Sequence, residues 1–383
     1  MDATQSAKLR TADNAPAPEV TLRVGTLPDF ASLPALYQAV YGSADEDGSS
    51  EAYYRWLYND NPDGCALLGN AESGEELVGH YALVPLRLWR GGRESVGGVG
   101  VSALTRRDFQ GRGLFARLVA LVNETAVRQG LSLTYVVPSP QAHPWYVKLL
   151  RFTEQAPLGL WVRPLRTAPL LRARAGHARW LRAVSGVARV GDIAIAPLLG
   201  LLVARRNPYN LEVRTVDEFG ADFDALWEQA KGSFSFAIVR TVTHLRWRFR
   251  LAPTRRYHIW GAYDQGRLVA YVIARVRTFR QLPGLTAGVI ADLFASPDAV
   301  GHSGARLLVA QVLRWLAQQR ISCCATELVS TAFEPAFRAN GFFPVPRRFA
   351  EGRALLMRVL STEHSLPADN TNLHFTGGDH DMG

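Results

Sequence analysis

Leu114, Phe115, Leu118, Val119, Leu121 and Val122 recur at the spacing of one helical face, and Gly130 stands where such a helix would end. The pattern predicts an amphipathic helix over about 113–130, followed by a strand at LSLTYVVP, 131–138. Upstream, alternation predicts a strand at 20–26, a helix at 28–40 and strands at 77–84 and 98–105. A short helix and an aromatic strand close the block in WYVKLLRF, 145–152. The same order returns later: a strand at 210–215, a helix at 217–231, strands at 257–263, 267–276 and 286–294, a helix at 305–319 and a strand at 321–327. AFRANGFF, 336–343, closes that block. Meander strands early and a parallel strand–helix–strand late predict a mixed α/β (α+β) fold, each block a mainly antiparallel sheet flanked by helices.

The two blocks are copies. YYRWLYNDNP (53–62) and HLRWRFRLAP (244–253) share Arg-Trp, an aromatic two residues on, and a proline seven after the arginine. LVGHY (77–81) falls on LVAYV (268–272), LRVGTLPDF (22–30) near LEVRTVDEF (211–219), and ARLVA (116–120) on RLLVA (306–310). Four matches in order at nearly constant spacing indicate duplication of a domain-sized unit rather than a solenoid. The expected organisation is a tail at 1–19, a domain at 20–165, a helical linker at 166–207, a second domain at 208–361, and a tail or last strand at 362–383. The 383-residue length agrees with two domains.

Composition narrows the partners. The chain is 48% apolar and carries a formal charge of +9, nearly all of it arginine. This favours anionic ligands, but without a dense basic run nucleic acid is not expected. Three cysteines make no disulfide framework, and no metal-ligand spacing stands out. The start, MDATQSAKLRTADNAPAPE, has no apolar core for a signal peptide, so a cytoplasmic location is expected. VARVGDIAIAPLLGLLVARR (187–206) falls short of the about 20 apolar residues of a spanning helix. It reads as a linker helix, with peripheral membrane contact through its flanking arginines as a second reading.

The stretch RRDFQGRGLFARL, 106–118, carries the candidate chemistry. It follows a predicted strand and opens the amphipathic helix. Glycines there allow a sharp turn and leave successive N–H groups open, and the first amides of a helix lack internal partners. With the helix dipole they make an anion site suited to a pyrophosphate. Gly111-Arg112-Gly113-Leu114-Phe115-Ala116 also fits a dinucleotide fingerprint. That reading expects an acidic residue at the end of the next strand, where Val136-Val137-Pro138-Ser139 has none.

Gln110-Gly111-Arg112-Gly113 resembles the [Q/R]-x-x-G-x-[G/A] signature of the GNAT superfamily of acyl-CoA N-acyltransferases, departing at the last position, where Phe115 stands. Phe337-Arg338-Ala339-Asn340-Gly341-Phe342 is similar to the family's closing aromatic-Gly-Phe motif, and Tyr146 to Phe152 is its counterpart in the first half. The chain thus resembles a tandem GNAT protein over about 20–165 and 208–361, similar to two-domain members of which some act in polysaccharide or envelope pathways.

The resemblance implies acetyl-CoA or another acyl-CoA as cofactor, held by Ala103, Leu104, Thr105 and Gln110 to Phe115, and an amine or amino-sugar acceptor that attacks the thioester directly. Tyr146 would protonate the leaving thiolate. His80 or His143 would serve as base or acceptor contact, with Ser139 beside His143. In the second half Gly301-His302-Ser303-Gly304-Ala305-Arg306 keeps two glycines but lacks the leading Gln or Arg, so the first half is expected to hold the cofactor. Asp292, in an apolar strand, is expected to pair with an arginine. Two alternatives stand beside transfer from acyl-CoA. One is aminoacyl-tRNA-dependent transfer of the peptidoglycan-bridge type, which typically lacks such a loop. The other is a non-catalytic module that senses CoA or docks to a membrane.

Overall fold

A computed structural model describes residues 19–42, 47–166, 207–278, 286–346, 353–361 and 372–380. The first half runs β1 (Thr21–Val24), α1 (Leu33–Tyr41), α2 (Glu51–Tyr58), β2 (Leu67–Ser73), β3 (Glu76–Arg90), β4 (Arg93–Thr105), α3 (Leu114–Arg128), β5 (Leu133–Val136), α4 (His143–Lys148), β6 (Thr153–Pro157) and β7 (Gly159–Pro164). The second runs β8 (Glu212–Thr215), α5 (Ala221–Ala230), β9 (Phe236–Ile238), α6 (Val242–Phe249), β10 (His258–Asp264), β11 (Arg267–Thr278), β12 (Thr286–Ala295), α7 (Ala299–Gln318), β13 (Cys323–Val329), α8 (Glu334–Ala339), β14 (Phe343–Pro344), β15 (Ala354–Val359) and β16 (Leu373–Thr376). The mixed α/β expectation holds in both halves. The expected linker helix, with its membrane-facing stretch 187–206, lies outside the described residues. Among the described residues no helix is long and apolar enough to cross a membrane.

The duplication is visible in the packing. α2 and α6 meet across an approximate two-fold relation, with Trp56 and Trp247 stacked at 5.3 Å between ring centroids. The indole of Trp56 donates to the Trp247 carbonyl (2.8 Å), and that of Trp247 donates to the Trp56 carbonyl (3.1 Å). Each buried N–H thus finds its acceptor in the other copy, as a buried indole requires. The arginines of the repeated Arg-Trp pairs point outward instead: Arg55 bonds Glu51 and lies over Phe30, and Arg246 bonds Glu218. It is Arg248 whose guanidinium lies over Trp56.

The halves also exchange strands. β7, from the first half, pairs antiparallel with β13 from Leu328↔Gly159 to Cys323↔Pro164. β15, from the second, pairs antiparallel with β5 from Leu356↔Val136 to Val359↔Leu133. The end of β3 pairs with β9, and β9 with β16, so the two sheets run into one. Each half's sheet is extended by a strand of the other's chain, and the combined sheet ends at β6 and β8.

Two histidines are buried in this shared core. His244 sits in α6, its pKa lowered to about 3 by burial and by the nearby Arg240, Arg248 and Arg87. His374, in β16, lies against the rings of Phe234, Phe294 and Phe333, and burial, with Arg240 close by, holds its pKa well below the ordinary value. Both are neutral in the fold, whereas the unfolded chain takes up protons as pH falls below about 6.5. Stability should therefore be full above that pH. It should fall from pH 6.5 to 5 with a slope approaching about 1.4 kcal/mol per unit for each histidine. Urea midpoints at pH 7, 6 and 5 check this, and a flat profile would contradict it.

Candidate active site

α3 begins at a left-handed residue. Gly111 and Gly113 have φ of 77° and 71°, a region that favours glycine. A Cβ on either would project into open space, so the backbone conformation, not crowding, selects glycine. The N–H groups from Gly111 to Ala116 donate to no group among the described residues, and the first bond of the helix is Arg117 N–H to the Gly113 carbonyl (3.2 Å). Six successive amides around a helix start are thus left for an external acceptor. Around them Arg107, Arg112 and Arg117 are exposed and form no salt bridge among the described residues. Arg106, by contrast, is held by Glu76 (2.6 Å) and Asp108 (2.8 Å). The Phe109 ring is flanked by Arg106 and Arg112. Gln110 braces the turn, donating from Nε2 to the Thr105 carbonyl (3.0 Å).

β4 leads into this turn through a bulge. His80 opposes Leu104 and Ala82 opposes Val101, so two β4 residues face one on β3; Ser102 takes φ 52° there. Arg106 N–H donates to the Val78 carbonyl (2.9 Å). Alternation along the antiparallel ladder then turns Leu104 toward β3, and turns the peptides of Thr105 and Ala103 away from it. They face a gap: β4 and β5 pair only at Gly98↔Thr134 and Val99↔Tyr135, and beyond these the strands separate. The result is a V that opens toward the free amides of α3.

The second half repeats the V and closes it. β12 carries the corresponding bulge, with Ile273 opposite Asp292 and Ala274 opposite Ile290. β12 and β13 pair from Ala287↔Cys323 to Ile290↔Thr326. Past that point β13 pairs instead with the chain's own last strand, at Leu328↔Thr376 and Val329↔Phe375. The wedge is locked by buried charge. Arg240 donates to Asp292 (3.1 Å) and to Asp379 (2.8 Å), and Tyr271 and the Thr376 hydroxyl donate to Asp292. Asp379 also accepts from the Thr376 N–H (2.8 Å). Burial raises the Asp379 pKa. The helix start is closed too: Asp298 caps α7 by accepting from Gly301 N–H (2.7 Å), and Ser296 donates to the same carboxylate. Gly301 to Arg306, read as a degenerate loop, lie inside α7. The helix here begins nearly two turns earlier than α3 does, and its own start carries a carboxylate cap.

Similarity to known proteins agrees with this geometry. The family model for the acetyltransferase (GNAT) family matches twice, at residues 30–152 and 223–343. The chain belongs to the GNAT family. Both halves are GNAT units, and the protein is an acyl-CoA-dependent N-acyltransferase of that family. No curated protein matches it in sequence. Among solved structures, a probable N-acyltransferase of unknown function from Enterococcus faecalis superposes with a TM-score of 0.59 at 9% identity, covering 89% of this chain and 72% of that one. A GCN5-related N-acetyltransferase from Anabaena variabilis gives 0.58 at 12%, covering 90% and 73%. N-myristoyltransferase of Saccharomyces cerevisiae, solved with myristoyl-CoA, gives 0.55 at 10%, covering 91% and 80%.

The GNAT candidates named from sequence divide sharply. Gln110 to Phe115 form the cradle, Thr105 and Ala103 border the V, and Leu104 is buried with its peptide turned to β3. Tyr146, in α4, is buried, and its ring meets Phe115 edge-on at 5.2 Å, placing it beside the cradle helix. His143, at the start of α4, pairs with Glu154 (3.3 Å) and lines a cavity of about 500 Å³ between the halves. His80 does not face the cleft. It is buried against α2, donating from Nδ1 to Asn70 (2.7 Å) and accepting at Nε2 from Tyr58 (3.2 Å). With both nitrogens engaged in the interior it cannot collect a proton from a substrate amine. Asn70 and Tyr58 lie 10 and 22 residues away along the chain, so local sequence gave no sign of this pairing. Asp292 pairs with an arginine as expected, and that arginine is Arg240.

Proposed function

We propose that the first half binds acetyl-CoA, with the diphosphate on the amides of Gly111 to Ala116 and the pantetheine arm in the V between β4 and β5. The transfer goes to a primary amine that enters by the cavity between the halves. The observation that carries this reading is the contrast at the two helix starts: six amides free at α3, a carboxylate cap at α7. Free arginines beside the cradle suit the cofactor's remaining phosphate.

The chemistry follows from what each group offers. The amine nitrogen attacks the thioester carbon and its surplus proton passes to His143, whose ring is held by Glu154 at the cavity wall. The carbonyl oxygen gains charge as the tetrahedral intermediate forms. The Thr105 and Ala103 amides, turned from the ladder into the V, are placed to donate to it, a contribution typically worth about 3 kcal/mol per donor. The C–S bond then breaks, and Tyr146 protonates the departing thiolate. An alkyl thiol leaves well on its own, with a pKa near ~8.5. Tyr146→Phe should therefore lower kcat by no more than about 10²-fold, the low end for an acid catalyst, with the Kd for CoA unchanged. A weaker Kd with unchanged kcat would contradict the acid role.

The acceptor cavity carries Glu154 and Glu334 together with His143, Arg338 and Arg353, the carboxylates paired with His143 and Arg338, among apolar walls that include Trp161 and Leu328. Mixed charge among apolar walls suits an amine on a polar but partly apolar body, such as an amino sugar. Thermal melts with acetyl-CoA, with CoA and with tRNA test the reading. Saturating acetyl-CoA should stabilise by a few kcal/mol, as RT ln(1 + [L]/Kd) requires, and tRNA should not. Stabilisation by tRNA alone would overturn it.

A further inference from the structure

The comparison structures span acetyl and myristoyl donors, and the space behind the V bears on which class this chain takes. The face of the sheet toward α3 and α4 is closed at the V. A Cβ at Gly100, the first β4 residue beyond the paired stretch, would collide with the Tyr81 hydroxyl and, next nearest, with a Val136 methyl. An acyl chain can therefore leave the thioester only through the opposite face, where Val101 points.

On that face Val101 borders a small void of about 20 Å³, walled by Leu57, Val84, Ile238 and Trp247 and by the Gly378–His380 segment. A water molecule needs ~10–15 Å³ measured in this way, so the void admits a group of about methyl to ethyl size. Its walls are tied down. Arg248 donates to the Gly378 carbonyl (2.8 Å) and also to that of His380, and Tyr135 donates to the Asp379 carbonyl (2.7 Å). Asp379 is itself held by Arg240. The strand that plugs the second half thus leads into the segment that walls the acyl end of the first.

We infer that the Leu57, Val84 and Val101 side chains with the Gly378–His380 wall limit the donor to acetyl- or propionyl-CoA. This rests on the proposed cofactor site in the first half. Growth of the chain by each methylene has to push on a packed wall, and packed interiors do not yield without strain.

Calorimetric titration of the full chain with CoA, acetyl-, propionyl-, butyryl- and octanoyl-CoA tests it. Acetyl-CoA should bind at least as tightly as CoA, with propionyl-CoA close behind. Butyryl-CoA should be weaker by about tenfold and octanoyl-CoA by about a hundredfold. Leu57→Ala, which opens the void, should narrow the butyryl-to-acetyl ratio by about tenfold; Val84→Ala serves as a second opening should the first variant fail to fold. Equal affinity across the series, or no change of ratio in either folded variant, would overturn this inference alone. Failure of every member to bind, CoA included, would overturn the cofactor site and this inference with it.

Discussion

Gly113→Asp should weaken CoA binding by at least about 10²-fold while leaving the melting temperature of the free protein nearly unchanged. Aspartate is one of the few residues that tolerate the left-handed conformation found there, and its side chain would enter open space. What it alters is charge. A carboxylate placed among the Gly111 to Ala116 amides would compete for their hydrogen bonds and repel a diphosphate, and like charges brought together cost several kcal/mol. The second half shows a related arrangement earlier along its own helix, where the Asp298 carboxylate takes up the Gly301 N–H at the start of α7. Titration calorimetry with CoA, paired with a melt of the free variant, checks both clauses. A variant that binds CoA normally would remove the cradle from the account.

Asp292→Ala should destabilise the fold by about 3–5 kcal/mol, the usual result of stranding a buried charge. Arg240 is 2% exposed and divides its donors between Asp292, Asp379 and the Ile238 carbonyl. Loss of Asp292 leaves a guanidinium with half its carboxylate partners and also frees the Tyr271 hydroxyl. Because Thr376 and Asp379 belong to the C-terminal segment, the loss should release β16 from the second V. Denaturant midpoints measure the cost. A loss below about 1 kcal/mol would show that the network is not what holds the wedge.

The parts of this architecture that the sequence made legible are those written in local spacing. The α3 face, the glycines before it and the 191-residue repeat all depend on residues near one another or on exact recurrence. Trp56 and Trp247 were visible as a repeat, but not as each other's hydrogen-bond partners, since that depends on how the copies dock. The exchange of β7 and β15 was hidden for a similar reason. A strand's alternation tells which face is buried, not which neighbour it pairs with.

Hydrophobic spacing starts this helix at 305, six residues after the observed Ala299, although SPDAVG, 296–301, holds the signal: an aspartate three residues before a helical amide is an N-cap. His80 misled because an isolated histidine on a strand looks the same whether it faces a cleft or, as here, Asn70 and Tyr58. The C-terminal NLHFTGGDHDMG was open between tail and strand. Leu373–Thr376 form the strand, with Asp379 on Arg240, because a gap between β12 and β13 exists to receive it.

Amide hydrogen exchange with and without saturating CoA tests the central claim most directly. The account predicts slowed exchange at Gly111 to Ala116, whose N–H groups have no partner among the described residues, and no change at Gly301 to Arg306 in α7. Unchanged exchange at Gly111 to Ala116 under conditions where CoA binds, or protection appearing at Gly301 to Arg306, would contradict it.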